Sequence, residues 1–246
     1  MKKPNHITAN DWKLLKQKYE DLDYVINKLE ENYPVQYLIG HVDFYDVKIL
    51  VNKNALIPRF ETETLVEKTI EYIHQLKLKR ASVLEIGTGS GCISIALKKE
   101  VQDLEITAIE ISSRAIRLAK KNAKLNKTKI NFIRRNMFKF NPINKYDVLI
   151  SNPPYIQEDS DIDPQTKYEP KGAIYGGADG LKYYEQIFKI AKDSLNQKFL
   201  IALEIDEDGA KILKQLAKEF FPNSKIKTEK DLAGKNRYLF VFSKPK

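Results

Sequence analysis

The chain of 246 residues contains one cysteine, Cys92, so no disulfide can form within it and packing alone must hold the fold. No run of 18 apolar residues appears, which excludes a membrane-spanning helix from the sequence pattern. The opening Met-Lys-Lys-Pro-Asn-His leads into an amphipathic stretch and not into the apolar core of a secretory signal. These features predict a soluble, cytoplasmic protein. Only three histidines occur, His6, His41 and His74, and they share no ligand spacing, so no metal is expected. The lone tryptophan, Trp12, reads as a core anchor for N-terminal helices. Arginine is scarce as well: of the 42 basic residues 7 are Arg and the remaining 35 are Lys. Surfaces that read bases favour the bidentate fork of Arg. The net charge of +9 is therefore taken as a habit of the whole chain, and direct nucleic-acid binding is not expected. There is no internal repeat and no low-complexity stretch.

What is present suffices for a packed core, with 42% hydrophobic and 30% charged residues. Apolar positions at Trp12, Leu15, Tyr19, Leu22, Ile26 and Leu29 step by three and four, the spacing of a helix over 10–31. Thr8 or Asn10 is placed to cap it, Asp21-Leu22-Asp23 to split it, and Pro34 to end it. Over 35–51, Phe44, Tyr45, Val47, Ile49 and Val51 predict a β-hairpin, closed by a turn at Asn52-Lys53-Asn54. Pro58 to Glu63 opens a helix that runs to about His74, and Glu61 and Glu63 fit there as first-turn charges.

From residue 81 onward strands and helices alternate. Strands are predicted at 82–86, 106–109, 131–133, 146–151 and 198–205, with helices at 92–99, 113–125, 181–195 and 209–220. Such alternation predicts a parallel sheet with helices on both faces. Two closing strands near 224–228 and 237–243 are close enough in sequence to pair antiparallel at its edge.

The first of these strands ends in Glu85-Ile86-Gly87-Thr88-Gly89-Ser90-Gly91. Glycine at alternate positions allows a tight turn and close approach of a ligand to the backbone. The dinucleotide fingerprint needs Gly-x-Gly-x-x-Gly, and its third position here is Cys92. No Gly-Lys-Ser/Thr follows, so a triphosphate loop is unsupported. The second strand ends in Glu110, where a carboxylate can accept from both hydroxyls of a ribose. A glycine loop with an acidic strand end is the pattern of S-adenosylmethionine binding. Asn136 and Met137, after the third strand, are placed to meet adenine, Asn136 as acceptor of its amino group and Met137 against its ring.

The fourth strand ends in Ser151 and is followed by Asn152-Pro153-Pro154-Tyr155. A planar amide or exocyclic NH2 is a poor nucleophile because its lone pair is delocalised. Two acceptors, the Asn152 side-chain oxygen and the Pro153 carbonyl, can hold its two hydrogens and aim the nitrogen at a sulfonium methyl. Tyr155 can pack on the planar group. Asn152, Pro153 and Tyr155 are thus the candidate catalytic residues. No protein nucleophile is required, because the methyl is activated by the cofactor. The motif specifies an amide or an aromatic amine and leaves glutamine, adenine and guanine open.

With these motifs in hand, residues 34–240 resemble the HemK/PrmC family, the bacterial release factor glutamine methyltransferases. The resemblance is carried by Pro34 to Tyr45, by Leu56-Ile-Pro-Arg-Phe-Glu-Thr-Glu63, by Glu85 to Gly91 and by Ser151 to Ile156. It continues in Tyr168-Glu169-Pro170, Gly176-Gly177-x-Asp179-Gly180-Leu181 and Asp231-Leu-Ala-Gly234. It implies an α/β, doubly wound, Rossmann-like methyltransferase sheet over 58–246, preceded by a helical segment at 1–33 and a hairpin linker at 34–57. It implies that Glu85, Ile86, Gly87, Thr88, Gly89, Glu110, Met137 and Asn152 bind S-adenosylmethionine, with S-adenosylhomocysteine as product. Asn152, Pro153, Pro154 and Tyr155 would bind the substrate glutamine, that of the Gly-Gly-Gln tripeptide of peptide chain release factors. A ribosomal protein is the target of related members, and adenine-N6 methylation of nucleic acid is the other chemistry compatible with Asn-Pro-Pro-Tyr. A monomer is expected. The chain departs from the family at Phe60 (usually Pro), Asn136 (usually Asp) and Lys171 (usually Arg), and in having only 33 residues before Pro34.

Overall fold

The helical spacing at the N-terminus builds two helices, α1 (Ala9–Lys18) and α2 (Leu22–Glu30), split where the sequence places Asp21. Thr8 and Asp21 cap them, each side chain accepting a backbone N–H, from Asp11 and Tyr24 respectively. The structure, a computed structural model, describes residues 3–4 and 7–243; His6 lies outside the described residues.

The hairpin expected over 35–51 is confined to β1 (His41–Phe44) and β2 (Val47–Leu50). Residues before it form a short helix instead, α3 (Val35–Ile39), opened by Pro34 and closed by left-handed Gly40 at φ 92°. Tertiary contacts explain the difference. Leu38 and Ile39 are buried with Trp12, Leu15 and Leu29, and Lys18 Nζ donates to the carbonyls of Leu38 and Ile39, both at 2.9 Å. The last carbonyls of the short helix are thereby satisfied by a distant side chain.

There follow α4 (Phe60–Gln75), β3 (Ser82–Ile86), α5 (Cys92–Glu100), β4 (Glu105–Glu110), α6 (Ser113–Leu125) and β5 (Asn131–Arg134). Next come β6 (Tyr146–Ser151), β7 (Ile156–Gln157), β8 (Tyr175–Gly177), α7 (Lys182–Ser194), β9 (Leu195–Glu204), α8 (Ala210–Phe220), β10 (Lys225–Lys230) and β11 (Asn236–Phe242). The main sheet has seven strands in the order β10-β11-β9-β6-β3-β4-β5. Its strands are parallel except that β11 runs antiparallel to both β9 and β10, the edge pair expected from the sequence. The strand alternation sorts the core into two layers. Val83, Val148, Ile150 and Leu200 face α4 and α5, while Leu84, Leu149, Ile201 and Leu203 face α7 and α8. Among the described residues no helix is long and apolar enough to cross a membrane.

Strand order reverses between β3, which leads outward to β4 and β5, and β6, which leads the other way to β9. Helices leave this pair on opposite faces, so a crevice opens beyond its carboxyl ends, the place where open α/β sheets bind ligands. Ser151 closes the base of the crevice by donating its hydroxyl to the Ile86 carbonyl at 2.7 Å.

Candidate active site

Two cavities meet at that crevice. One, of about 430 Å³, is lined by Glu85, Gly87, Gly89, Glu110, Met137 and Asn152, with Ile86 and Thr88 also in its wall. The other, of about 510 Å³, is lined by Pro34, Arg59, Tyr155, Asp161, Glu169 and Glu204. Asn152, Pro153 and Pro154 form part of both. The structure therefore brings together all the cofactor and substrate residues named from the sequence.

The glycine loop is closed on itself. Gly87 and Thr88 donate their N–H groups to the Ile109 carbonyl at 2.9 and 3.2 Å, Gly91 donates to Thr88 at 2.8 Å, and Gly89 donates to Glu110 Oε2 at 3.1 Å. At Gly91 (φ 85°) a Cβ would come within 3.1 Å of the Ala119 Cβ, so glycine is what lets α5 start against α6. With those amides spent inside the protein, the loop has little left to cradle a phosphate. Glu110 accepts a second bond, from the Ser112 N–H to Oε1 at 2.8 Å, which fixes its carboxylate at the cavity wall with lone pairs to spare.

Glu85 is 1% exposed. Its Oε2 accepts from the hydroxyls of Thr88, at 2.7 Å, and Ser94, whereas its Oε1 is buried without a hydrogen-bond partner. Burial pushes its carboxyl up to about 7. A buried carboxyl beneath the cavity wall, with Glu110 nearby, fits a ligand that brings its own positive charge. S-adenosylmethionine meets that requirement through its sulfonium and ammonium groups; a pyrophosphate would be repelled.

At the far end, Asn136 does not point an unoccupied oxygen at the cavity. Its Oδ1 accepts the Phe138 N–H at 2.9 Å and so caps the 3-10 turn of Met137–Lys139, leaving one lone pair for a ligand. Met137 lies half-buried in the wall. Phe138, packed on Tyr183 with ring centroids 5.6 Å apart, and Ile111 add apolar surface there. Neither stood out in the sequence, because an aromatic or aliphatic residue in a loop carries no motif.

The Asn152 side chain donates from Nδ2 to the Thr62 hydroxyl at 3.0 Å, and Thr62 lies within 2.7 Å of Glu204 Oε2. Among the described residues the Pro153 carbonyl accepts no hydrogen bond, so its acceptor capacity faces outward. Tyr155 is further into the second cavity, where its hydroxyl donates to Glu204 Oε1 at 3.3 Å and burial pushes its pKa well above the usual phenol value. The hydroxyl is thus engaged within the protein. Gly176 explains how this loop is held: a Cβ there would sit 2.8 Å from the Pro154 carbonyl oxygen and 2.9 Å from Tyr155 Cα.

Arg59 and Glu169 pair at the second cavity, and Glu169 Oε2 also accepts the Ile57 N–H at 2.8 Å. The segment around Phe60 keeps this contact without the usual second proline; Phe60 itself is exposed at the start of α4. Lys171 is exposed in the 3-10 turn of Lys171–Ala173. The N-terminal helices reach the same rim, where Tyr33 stacks edge-on against Tyr168 at 4.9 Å and the Tyr168 hydroxyl donates to the Glu31 carbonyl at 3.0 Å.

The family model "Methyltransferase small domain" matches residues 62–168. A release factor glutamine methyltransferase from Flavobacterium psychrophilum is 35% identical, the match covering 98% of this chain and 86% of that protein. A release factor glutamine methyltransferase from Streptococcus pneumoniae is 38% identical over 92% of this chain and 80% of that protein. Among solved structures, a methyltransferase from Pyrococcus furiosus superposes with a TM-score of 0.58 at 20% identity, covering 80% of this chain and 89% of its own, a likeness of fold.

Proposed function

This chain belongs to the release factor glutamine methyltransferase family, and from that premise we propose that it transfers a methyl group from S-adenosylmethionine to the side-chain amide nitrogen of the Gly-Gly-Gln glutamine in peptide chain release factors. The observation that carries the reading is the position of Asn152. It stands where the two cavities join, with its amide held from behind by Thr62 and the Pro153 carbonyl beside it.

When bound, the cofactor supplies a methyl group already activated by cationic sulfur. The chain does the rest by binding and aiming. Glu110 would accept from the ribose hydroxyls, the buried carboxyl of Glu85 would favour the positive end, and Gly87 to Gly89 would form the turn beside the ligand. Asn136 and Met137 meet the adenine. On the other side, Asn152 Oδ1 and the Pro153 carbonyl accept the two hydrogens of the glutamine amide, with Pro154 and Tyr155 bounding its plane. Both acceptors are dipoles pointing their negative ends at the nitrogen, so they stabilise the positive charge that grows there. The burial of Glu204 and Pro153, with half-buried Tyr155 beside them, limits the water that can compete for those acceptors.

The same reading makes release factors the partner and the cytoplasm the location. It is tested with labelled S-adenosylmethionine, a purified release factor and its Gly-Gly-Gln→Gly-Gly-Ala variant. Label is expected only in the glutamine form. Label in neither, together with label in a ribosomal protein or in nucleic acid, would replace the substrate while keeping the cofactor.

A further inference from the structure

We propose that Thr62 and Glu204 are positioning residues that lock the Asn152 side chain with its oxygen turned toward the substrate. The inference rests on the role given to Asn152 above and deepens it.

Glu204 ends β9 and is 2% exposed. Its two oxygens face different donors, Oε2 the Thr62 hydroxyl at 2.7 Å and Oε1 the Tyr155 hydroxyl at 3.3 Å. An ionised carboxylate has no hydrogen to give, so Thr62 must donate to it. A hydroxyl has one hydrogen. Once it is spent on Glu204, Thr62 can only accept, and the end of Asn152 that faces it at 3.0 Å must be the NH2. The other fork of the planar amide, Oδ1, then points away from Thr62. Without this chain the amide could turn over and present its NH2 to the substrate NH2, donor against donor. Asn152's own loop cannot prevent that, because Pro153 and Pro154 have no N–H to hold an oxygen.

The groups around Glu204 set the condition for the lock. Glu61 in the first turn of α4 opposes its charge, and Arg237 on β11, which also lies 3.7 Å from Asp206, favours it. The Tyr155 and Thr62 hydroxyls also support the ionised form, and Tyr184 approaches from α7 to donate to the Glu204 backbone carbonyl at 2.9 Å. Burial outweighs these aids and pushes the carboxyl up to about 7. Protonated Glu204 can itself donate to Thr62, which frees the Thr62 hydrogen and releases the lock. Turnover therefore rises with pH through about 7.

The test compares the full-length protein with Thr62→Val, Thr62→Ser and Glu204→Gln, using a purified release factor and labelled S-adenosylmethionine. Thr62→Val should lower kcat by roughly tenfold to a hundredfold while the cofactor Kd stays within about threefold. Thr62→Ser, which restores the hydroxyl, should recover turnover to within about threefold of wild type. Glu204→Gln should lose the rise of kcat with pH. A folded Thr62→Val protein that turns over like wild type, or a serine variant as slow as the valine one, overturns the inference. Should Thr62→Val fail to fold, Glu204→Gln decides, and an unchanged pH profile in it overturns the inference. Failure of the wild-type protein to methylate the release factor strikes the substrate assignment instead, and is read from the wild-type reaction alone.

Discussion

Arg59, just before α4, forms an ion pair with Glu169, which is 5% exposed and lies beyond the Asn-Pro-Pro-Tyr loop. The pair ties two segments that wall the second cavity. Removing the arginine strands a buried carboxylate that retains only the Ile57 N–H. Breaking a fully buried pair costs about 3–5 kcal/mol, and the partial exposure of Arg59 reduces this to roughly 1–3 kcal/mol. Arg59→Ala is expected to lower the melting temperature by about 2–10 °C, followed by circular dichroism, with Arg59→Lys falling in between.

Glu110 holds two loop amides and has lone pairs left for a ribose. Glu110→Ala removes the ligand contacts and also orphans the N–H groups of Gly89 and Ser112. Each hydrogen bond to a charged group contributes about 1.5–3 kcal/mol, so S-adenosylmethionine affinity should fall at least about tenfold. Titration calorimetry measures it. An unchanged Kd would remove Glu110 from the binding site.

Asn152→Ala takes away one of the two acceptors for the amide but none of the contacts to the far end of the cofactor. We expect kcat to drop by about 10²–10³ or more, with cofactor Kd little altered. Turnover near the wild-type level would falsify the role given to Asn152.

Gly176→Ala places a methyl group 2.8 Å from the Pro154 carbonyl oxygen and 2.9 Å from Tyr155 Cα, both on backbone that has little room to yield. Overpacking of this kind costs about 1–3 kcal/mol. Because the displaced atoms belong to the substrate loop, the variant should lose kcat/KM for the release factor while binding cofactor normally, which separates it from a general loss of fold.

Glu85 and Glu204 are both pushed up to about 7 by burial. A folded state whose carboxyls hold protons that the unfolded chain has released is favoured at low pH. Their contribution to stability is complete below the ordinary glutamate value of 4.5 and is lost as pH rises through about 7. Glu229, lowered to about 2, acts only below 4.5, and His41, lowered by burial, opposes them near 6.5. The clean measurement is therefore the difference between wild type and Glu85→Gln. The melting temperature of the cofactor-free wild type should fall more steeply than that of the variant between about pH 5 and 8. Cofactor affinity of the wild type should rise over the same interval, since a cationic ligand favours ionised Glu85.

The alternation of strands and helices, the antiparallel edge pair, and the motifs at the ends of β3, β4 and β6 (Glu85–Gly91, Glu110 and Asn152–Tyr155) were legible in the residue order alone. Those features are local: period two and period 3.6 appear within a dozen residues, and glycine and proline act on their own backbone. What holds the motifs in place emerges from contacts between distant segments. Asn152 meets Thr62 across 90 residues of chain, Thr62 meets Glu204 across 142, and Arg59 meets Glu169 across 110. A threonine in a helix and a glutamate at a strand end carry no pattern that announces such partners. The same reason turned residues 35–39 into a helix, for its last carbonyls are satisfied by Lys18, some 20 residues away. Hydrogen-bond donors and acceptors find one another through space, and the order of residues along the chain records that pairing only after the sheet has brought them together.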